Sequence, residues 1–361
     1  MQNRSVPFLR LGPIGQEIQI VLGDVFKKGV FMNGAYLESF KTEFSKYMGL
    51  KHIIPTANCT DALEIILRSH GIQSGDEVIT NAFSWFSDAS VIQLLGAEVV
   101  FCDIELNHFG IKLPDLENRI NAKTKAIILP HLFGLLHPEI EKINTICKQN
   151  NIILIEDCAQ AHGATLNGKL AGTFGDVAAF SFYPTKNLAA LGDAGAIATY
   201  NKFLAEKCKL WANHGQKTRN EHLQLGRNSR MDEIQAAVLC TNLPFLHSDN
   251  EKRQKLADIY FKLLADTDCV LPYKTSGHVY HQFVIRTDRR DELQKFLIEK
   301  GIETDIHYPT ALSDLKVFRS DEKFSNARQA SKTVLSLPIH PNHSEEEIEY
   351  VAEKIKCFFT A

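Results

Sequence analysis

The sequence has no apolar run that could cross a membrane. Its longest candidates, Ala126–Pro130 and Ile152–Ile155, fall far short of the roughly 20 residues a spanning helix needs, and read instead as buried strands. Neither charge is in excess: 40 Lys and Arg stand against 43 Asp and Glu, a formal net charge of −3. That balance leaves no basic footprint for nucleic acid. Met1-Gln2-Asn3-Arg4-Ser5 carries no hydrophobic signal core, so the expected location is the cytoplasm. Cysteine pairs at metal or redox spacing are missing too. Cys59, Cys102, Cys147, Cys158, Cys208, Cys240, Cys269 and Cys357 are scattered with no C-x-x-C. They read as free thiols in a reducing compartment rather than a disulfide framework, and no metal site is expected. Internal repeats and low-complexity linkers are absent as well.

What is present is an ordinary globular composition, 44% hydrophobic and 23% charged over 361 residues, long enough for a large core and two lobes. Gly15–Lys28 and Glu38–Met48 have helical spacing, and Gly49 is a helix stop. From His52 onward, short apolar strands alternate with helices: 52–55, 78–80, 98–101, 126–130 and 152–155 are strands, with helices near 89–95, 116–120 and 139–149. Near-continuous apolar strands in β-α-β order predict an α/β fold with a mostly parallel central sheet covered on both faces. The pattern changes after Thr199. His214–Ser229 is polar and aperiodic, a long loop of the functional kind. Ser248–Leu264, Arg290–Lys300 and Ser344–Phe359 are helical, and a strand lies near Val279–Arg286. The expected division is a large α/β domain over 1–245 and a smaller α+β lobe over 246–361.

The stretch Ser181-Phe182-Tyr183-Pro184-Thr185-Lys186-Asn187 lies between two apolar, strand-like segments. Pro184 fixes the local backbone and removes a ladder bond. A lysine held on such a turn suits a Schiff-base role beside a phosphate site; a solvated surface lysine is the ordinary alternative. Thr56-Ala57-Asn58-Cys59-Thr60 is a strand, a small polar turn and a helix start. Such a turn binds an anion, or simply caps the helix. Asp157 ends a buried strand, a costly place for an unpaired carboxylate. It could pair with a protonated pyridine nitrogen or cap the next turn. Gln160 could reach a phenolic oxygen or the local backbone, Trp85 could stack on a ring or fill the core, and Ser181 could hold phosphate or cap a turn. Ligands collect at the carboxyl ends of parallel strands, where these residues converge.

Together they form a pyridoxal phosphate (PLP) constellation. The motif runs are Val6-Pro7-Phe8-Leu9, Glu156-Asp157-Cys158-Ala159-Gln160-Ala161-His162-Gly163-Ala164, the lysine stretch, Gly226–Ala237 and His307-Tyr308-Pro309. On them the chain resembles, over nearly its whole length, the fold-type I, PLP-dependent nucleotide-sugar aminotransferases of the DegT/DnrJ/EryC1/StrS family. The resemblance implies that Lys186 is the cofactor-bearing lysine and proton carrier, and that Asp157 partners the ring nitrogen. Gln160 contacts the ring oxygen, and Trp85 stacks on the ring. Thr60, the Cys59 backbone and Ser181 cradle the phosphate. Asn228 reaches the cofactor phosphate of a neighbouring subunit, so a homodimer with shared sites is implied. Tyr183, Lys217, His307 and Tyr308 lie where relatives contact the nucleotide sugar. The implied reaction is ping-pong transamination from L-glutamate to a nucleotide-linked keto-sugar, most like enzymes acting at C-3 of a dTDP-3-keto-6-deoxyhexose. C-4 amination and UDP-2-acetamido-3-keto sugars stay open. A sugar dehydratase of this fold, with histidine for the lysine, and a non-catalytic regulator are the rivals, and Lys186 speaks against both. Cys59 and Asp88 stand where relatives usually carry glycine and threonine. Ala189 and Ala194 replace glycines, and Thr310–Ser313 lacks a histidine common after His307-Tyr308-Pro309.

Overall fold

The computed structural model describes residues 5–11, 15–318 and 320–360. Its centre is a seven-stranded sheet built from β1 (His52–Thr56), β2 (Glu77–Asn81), β3 (Glu98–Cys102), β4 (Thr124–Pro130), β5 (Ile153–Asp157), β6 (Val177–Ser181) and β7 (Gly195–Thr199). The spatial order is β1-β7-β6-β5-β4-β2-β3. All pairings are parallel except those of β7, which runs antiparallel to both neighbours. The expected mostly parallel sheet is therefore present. Its one reversed strand follows from the lysine stretch, which turns the chain straight back instead of crossing over through a helix as a parallel connection requires.

Both faces are dry. One is covered by α2 (Ala35–Met48), which follows α1 (Gln16–Lys28); in α2, Phe40, Phe44 and Met48 are buried, and Gly49 ends the helix at φ 67°. Phe44 meets Phe180 edge-on at 5.2 Å and Phe182 at 5.5 Å, and Phe40 meets Phe182 at 5.3 Å. This aromatic wedge anchors the end of β6 immediately before the lysine turn. The other face is covered by α3 (Cys59–Ser69), α4 (Ser87–Leu94) and, further along the chain, Lys202–Ala212. Hydrophobic burial of this kind contributes about 1.5–3 kcal/mol per large side chain.

The C-terminal part has its own core, in which Leu256, Tyr260, Phe283, Leu335 and Val351 pack together with Val6 from the other end of the chain. Two antiparallel strands, β8 (Phe283–Arg286) and β9 (Val334–Leu337), form its sheet. Helices Leu246–Leu264, Arg290–Glu299 and Glu345–Thr360 match the sequence reading to within two residues. The expected strand near Val279 begins only at Phe283, and the sequence reading missed both the helix Ser325–Thr333 and β9. The expected loop at His214–Ser229 contains a small hairpin, Gln216–Thr218 with Glu221–His222.

Two buried carboxylates brace connections. Glu233 accepts hydrogen bonds from the amides of Gly34 (3.1 Å), Tyr36 (2.6 Å) and Leu37 (3.1 Å) at the start of α2. Glu156 accepts from Gly172, Phe174 and Gly175, each at 2.7 Å, and pairs with His131 Nε2 at 2.9 Å. His131, Glu156 and Cys158 lie close enough to hold a metal, yet the Glu156 oxygens are already taken by backbone amides. Their arrangement is that of a structural clasp.

Candidate active site

The parallel strands and β1 end at one edge of the sheet, and a cavity of about 470 Å³ opens there. Its walls include Asn58, Cys59 and Thr60 from α3, Asp157 from β5, Ser181 and Lys186 from β6 and its turn, and His307 and Tyr308 from the C-terminal part. Ten of the eleven residues expected to touch cofactor or substrate within one chain line it directly: Cys59, Thr60, Trp85, Asp157, Gln160, Ser181, Tyr183, Lys186, His307 and Tyr308. Lys217 is the eleventh and does not.

One wall is an anion cradle. Asn58 caps α3 by accepting from Asp61 N at 2.8 Å. The amides of Cys59 and Thr60 then belong to the first turn, which has no intrahelical acceptors and carries the positive end of the helix dipole. Thr60 Oγ1 lies 2.7 Å from Ser87 Oγ. Gly195 on β7 faces the same turn, and a Cβ there would overlap the Asn58 backbone. Only glycine lets the strand come so near. Ser181 Oγ accepts from Tyr183 N at 3.4 Å and faces the cavity.

On the floor is Asp157, 8% exposed. Its Oδ1 accepts from Ala159 N at 2.8 Å and meets Cys59 Sγ at 3.9 Å. Burial, then the Asp157 charge, hold the Cys59 thiol well above its ordinary value, so it faces Asp157 as a neutral donor. Lys186 is half-buried on a turn closed by Lys186 N→Tyr183 O and Ala190 N→Phe182 O, both 2.8 Å. Burial lowers the Lys186 amine, while Asp157, Cys59 and Asp88 act in the opposite direction. A larger neutral fraction near neutral pH follows, which is what a nucleophilic amine needs.

Gln160 is held at both ends: Oε1 accepts from Phe133 N at 2.6 Å, and Nε2 donates to Tyr308 OH at 2.9 Å. The Tyr308 ring lies 5.9 Å from Trp85, tilted by 45°, and Trp85 itself is 59% exposed at the mouth. His307 stacks on Phe8 at 5.9 Å, and its Nδ1 lies 2.8 Å from Ser336 Oγ. Two expected residues are elsewhere. Asn228 is exposed, and its Oδ1 accepts from Arg230 Nε at 3.0 Å. Lys217 is exposed on the small hairpin and borders a separate cleft with Arg230.

Residues in the wall and directly behind it went unnoticed in the sequence. Asn187, next to the lysine, donates to Asn250 Oδ1 (2.8 Å) and Val279 O (3.3 Å), so its Oδ1 is the acceptor for His281 Nδ1 at 3.0 Å. That fixes the proton of His281 on Nδ1 and leaves Nε2 as an acceptor in the cavity wall. Burial, with Lys186 and Arg253 nearby, keeps His281 neutral. The signal was there: His281-Gln282 is a polar pair placed directly before the apolar Phe283-Val284-Ile285.

Comparison with known proteins decides what this arrangement is. The model of the DegT/DnrJ/EryC1/StrS aminotransferase family matches residues 13–356. The chain belongs to that family. A pleiotropic regulatory protein of Geobacillus stearothermophilus is 42% identical, covering 98% of this chain and 99% of that one. The dTDP-3-amino-3,6-dideoxy-alpha-D-galactopyranose transaminase of Aneurinibacillus thermoaerophilus is 40% identical over 98% and 99%. Among solved structures, NtdA of Bacillus subtilis, with bound cofactor PMP, superposes with a TM-score of 0.92 at 31% identity, covering 100% of this chain and 87% of that one. This DegT/DnrJ/EryC1/StrS aminotransferase is thus a PLP-dependent sugar aminotransferase of the PLP fold type I. Its cavity fits that cofactor: the glycine-lined helix N-terminus suits a phosphate, the floor carboxylate a ring nitrogen, and the half-buried amine an aldehyde. Among the described residues, no helix is long and apolar enough to cross a membrane.

Proposed function

We propose that the enzyme transfers the amino group of L-glutamate to C-3 of a dTDP-linked 3-keto-6-deoxyhexose. The observation that carries this reading is the 40% identity, end to end, with the Aneurinibacillus thermoaerophilus transaminase named for a dTDP-3-amino sugar, joined to a cavity lined by both Lys186 and Asp157.

In this reading PLP supplies the carbonyl that accepts an amine and the ring that withdraws electrons. Asp157 holds the ring nitrogen, and the first turn of α3, Thr60 and Ser181 hold the phosphate. Trp85 covers the ring face. Lys186 Nζ would carry a proton away from the donor's reacting carbon in the first half of the cycle and deliver one to the sugar's reacting carbon in the second, being free again at the end of each half. Tyr308, fixed by Gln160, and His307, held by Ser336, position the sugar from the C-terminal side, with Tyr183 at the mouth. The enzyme works in the cytoplasm as a symmetric homodimer, in which Asn228 reaches the phosphate site of the second subunit and Lys217 the nucleotide. The exposure of both residues, away from their own chain's cavity, supports this. The two lobes divide at Phe245–Leu246, where the helix Leu246–Leu264 begins.

A regulatory role has one observation in its favour, the printed name of the 42% identical relative. The retained Lys186, Asp157, Gln160 and Ser181 speak for catalysis instead. The test is a panel of dTDP-, UDP- and GDP-linked keto-sugars, with L-glutamate as donor and the product position read by NMR. Amination at C-3 of the dTDP sugar is expected. Turnover of only a UDP or GDP sugar, or amination at C-4, would overturn the substrate assignment. No transamination with any keto-sugar would favour the regulatory role.

A further inference from the structure

We propose that Asp88 is a positioning residue of this site: its carboxyl group donates a hydrogen bond to Asp157 and orients that carboxylate toward the cavity. The inference rests on the assignment of Asp157 to the cofactor ring nitrogen.

Asp88 is the second residue of α4 and is 0% exposed. Ser84 Oγ donates to its Oδ2. Its other oxygen, Oδ1, is buried and receives no donor. The side chain that Asp88 can share a hydrogen bond with is Asp157. Two ionised carboxylates in contact, both out of water, repel strongly, and one of them keeps a proton. Asp157 has more donors around it. It has the Ala159 amide at 2.8 Å, the Cys59 thiol and the Lys186 amine on its side. Asp88 has the Ser84 hydroxyl as its one side-chain donor, with Lys186 acting on it less than on Asp157. A proton on Asp88 turns its orphan oxygen into a donor and gives it a partner, which relieves the cost of a buried, unsatisfied polar atom.

The groups facing Asp88 are Asp157 at the end of β5, Cys59 on α3, Lys186 on the turn after β6, and Tyr308. Burial first, then the Asp157 charge, raise the Asp88 carboxyl well above its usual range, while Ser84 and Lys186 oppose this. The direction sets the sign of a pH effect. The unfolded chain releases this proton near the ordinary carboxylate value of about 4, whereas the folded chain keeps it. Stability is therefore fully present below that value and is lost progressively as pH rises above it toward the raised folded value. An amide at position 88 escapes that loss.

The test compares the wild type with Asp88→Asn and Asp88→Val, as full chains with and without PLP. The wild-type minus Asp88→Asn infrared difference at pH 7 is expected to show the carbonyl stretch of a neutral carboxylic acid. Asp88→Asn should melt with the wild type near pH 4 and several degrees above it at pH 7. Asp88→Val, without a donor, should move the acid limb of PLP binding up by about one pH unit, the size of one lost hydrogen bond to an anion, and Asp88→Asn should move it back. Absence of the carbonyl band, or a lower melting temperature for Asp88→Asn at pH 7, would overturn the proposal. The band and the melting shift are also read without cofactor. If they hold while Asp157→Asn leaves PLP affinity unchanged, the assignment of Asp157 fails and the carboxyl pair stands.

Discussion

At the scale of single residues, the site depends on which protons are held where. Lys186 is made a usable amine by burial, and His281 is fixed as a neutral acceptor by Asn187. Asn187 thereby links the reactive lysine to the Leu246–Leu264 helix through Asn250. Asn187→Ala removes three hydrogen bonds and should cost about 1–3 kcal/mol of stability by urea titration. It should also lower kcat more than the KM for glutamate, because His281 loses its orientation; unchanged kcat would contradict this role. Gly195 offers a second check. Gly195→Ala pushes a methyl group into the Asn58 turn, so PLP affinity should fall at least about tenfold, the equivalent of 1.4 kcal/mol, as read by absorbance titration.

At the scale of elements, the lysine turn is placed by what precedes it. Phe182 is fully buried against Phe40 and Phe44, so Phe182→Ala should destabilise the protein by about 3–5 kcal/mol in denaturant unfolding. Glu233→Gln loses the charge that three amides of the α2 start share, with an expected cost of about 1–3 kcal/mol. These elements also show what was legible beforehand. The parallel strands could be read because they are apolar on both faces, and the long amphipathic helices because their period is regular. Lys186, Asp157, Thr60 and Ser181 were legible because each follows an apolar strand. The helix Ser325–Thr333 escaped because its residues are polar and small, and β9 because four residues carry almost no periodic signal. Asn187 and His281 escaped because their pairing joins positions 94 residues apart. The proposed hydrogen bond from Asp88 to Asp157 escaped for the same reason: the two residues are brought together only after β5 and α4 have packed.

At the scale of the molecule, the active site is assembled from both cores, with His281, His307 and Tyr308 meeting residues of the large sheet. Folding also traps histidines as neutral bases: burial pushes His137, His162, His278 and His340 down to about 3. Their unfolded value is about 6.5. A base with a depressed folded value binds more protons when unfolded, so stability falls as pH drops from about 6.5 toward 3. Unfolding at pH 5 should take up about four protons from these residues, measurable by calorimetry in buffers of different ionisation enthalpy. Uptake near zero would place charged histidines inside the fold. The claim on which everything else depends is that Lys186 carries the cofactor. Borohydride reduction of the PLP-loaded protein, followed by proteolysis and mass spectrometry, tests it most directly. The account predicts the pyridoxyl mass on the peptide containing Lys186 and its loss in Lys186→Ala; the label on another lysine, or its persistence in that variant, would contradict it.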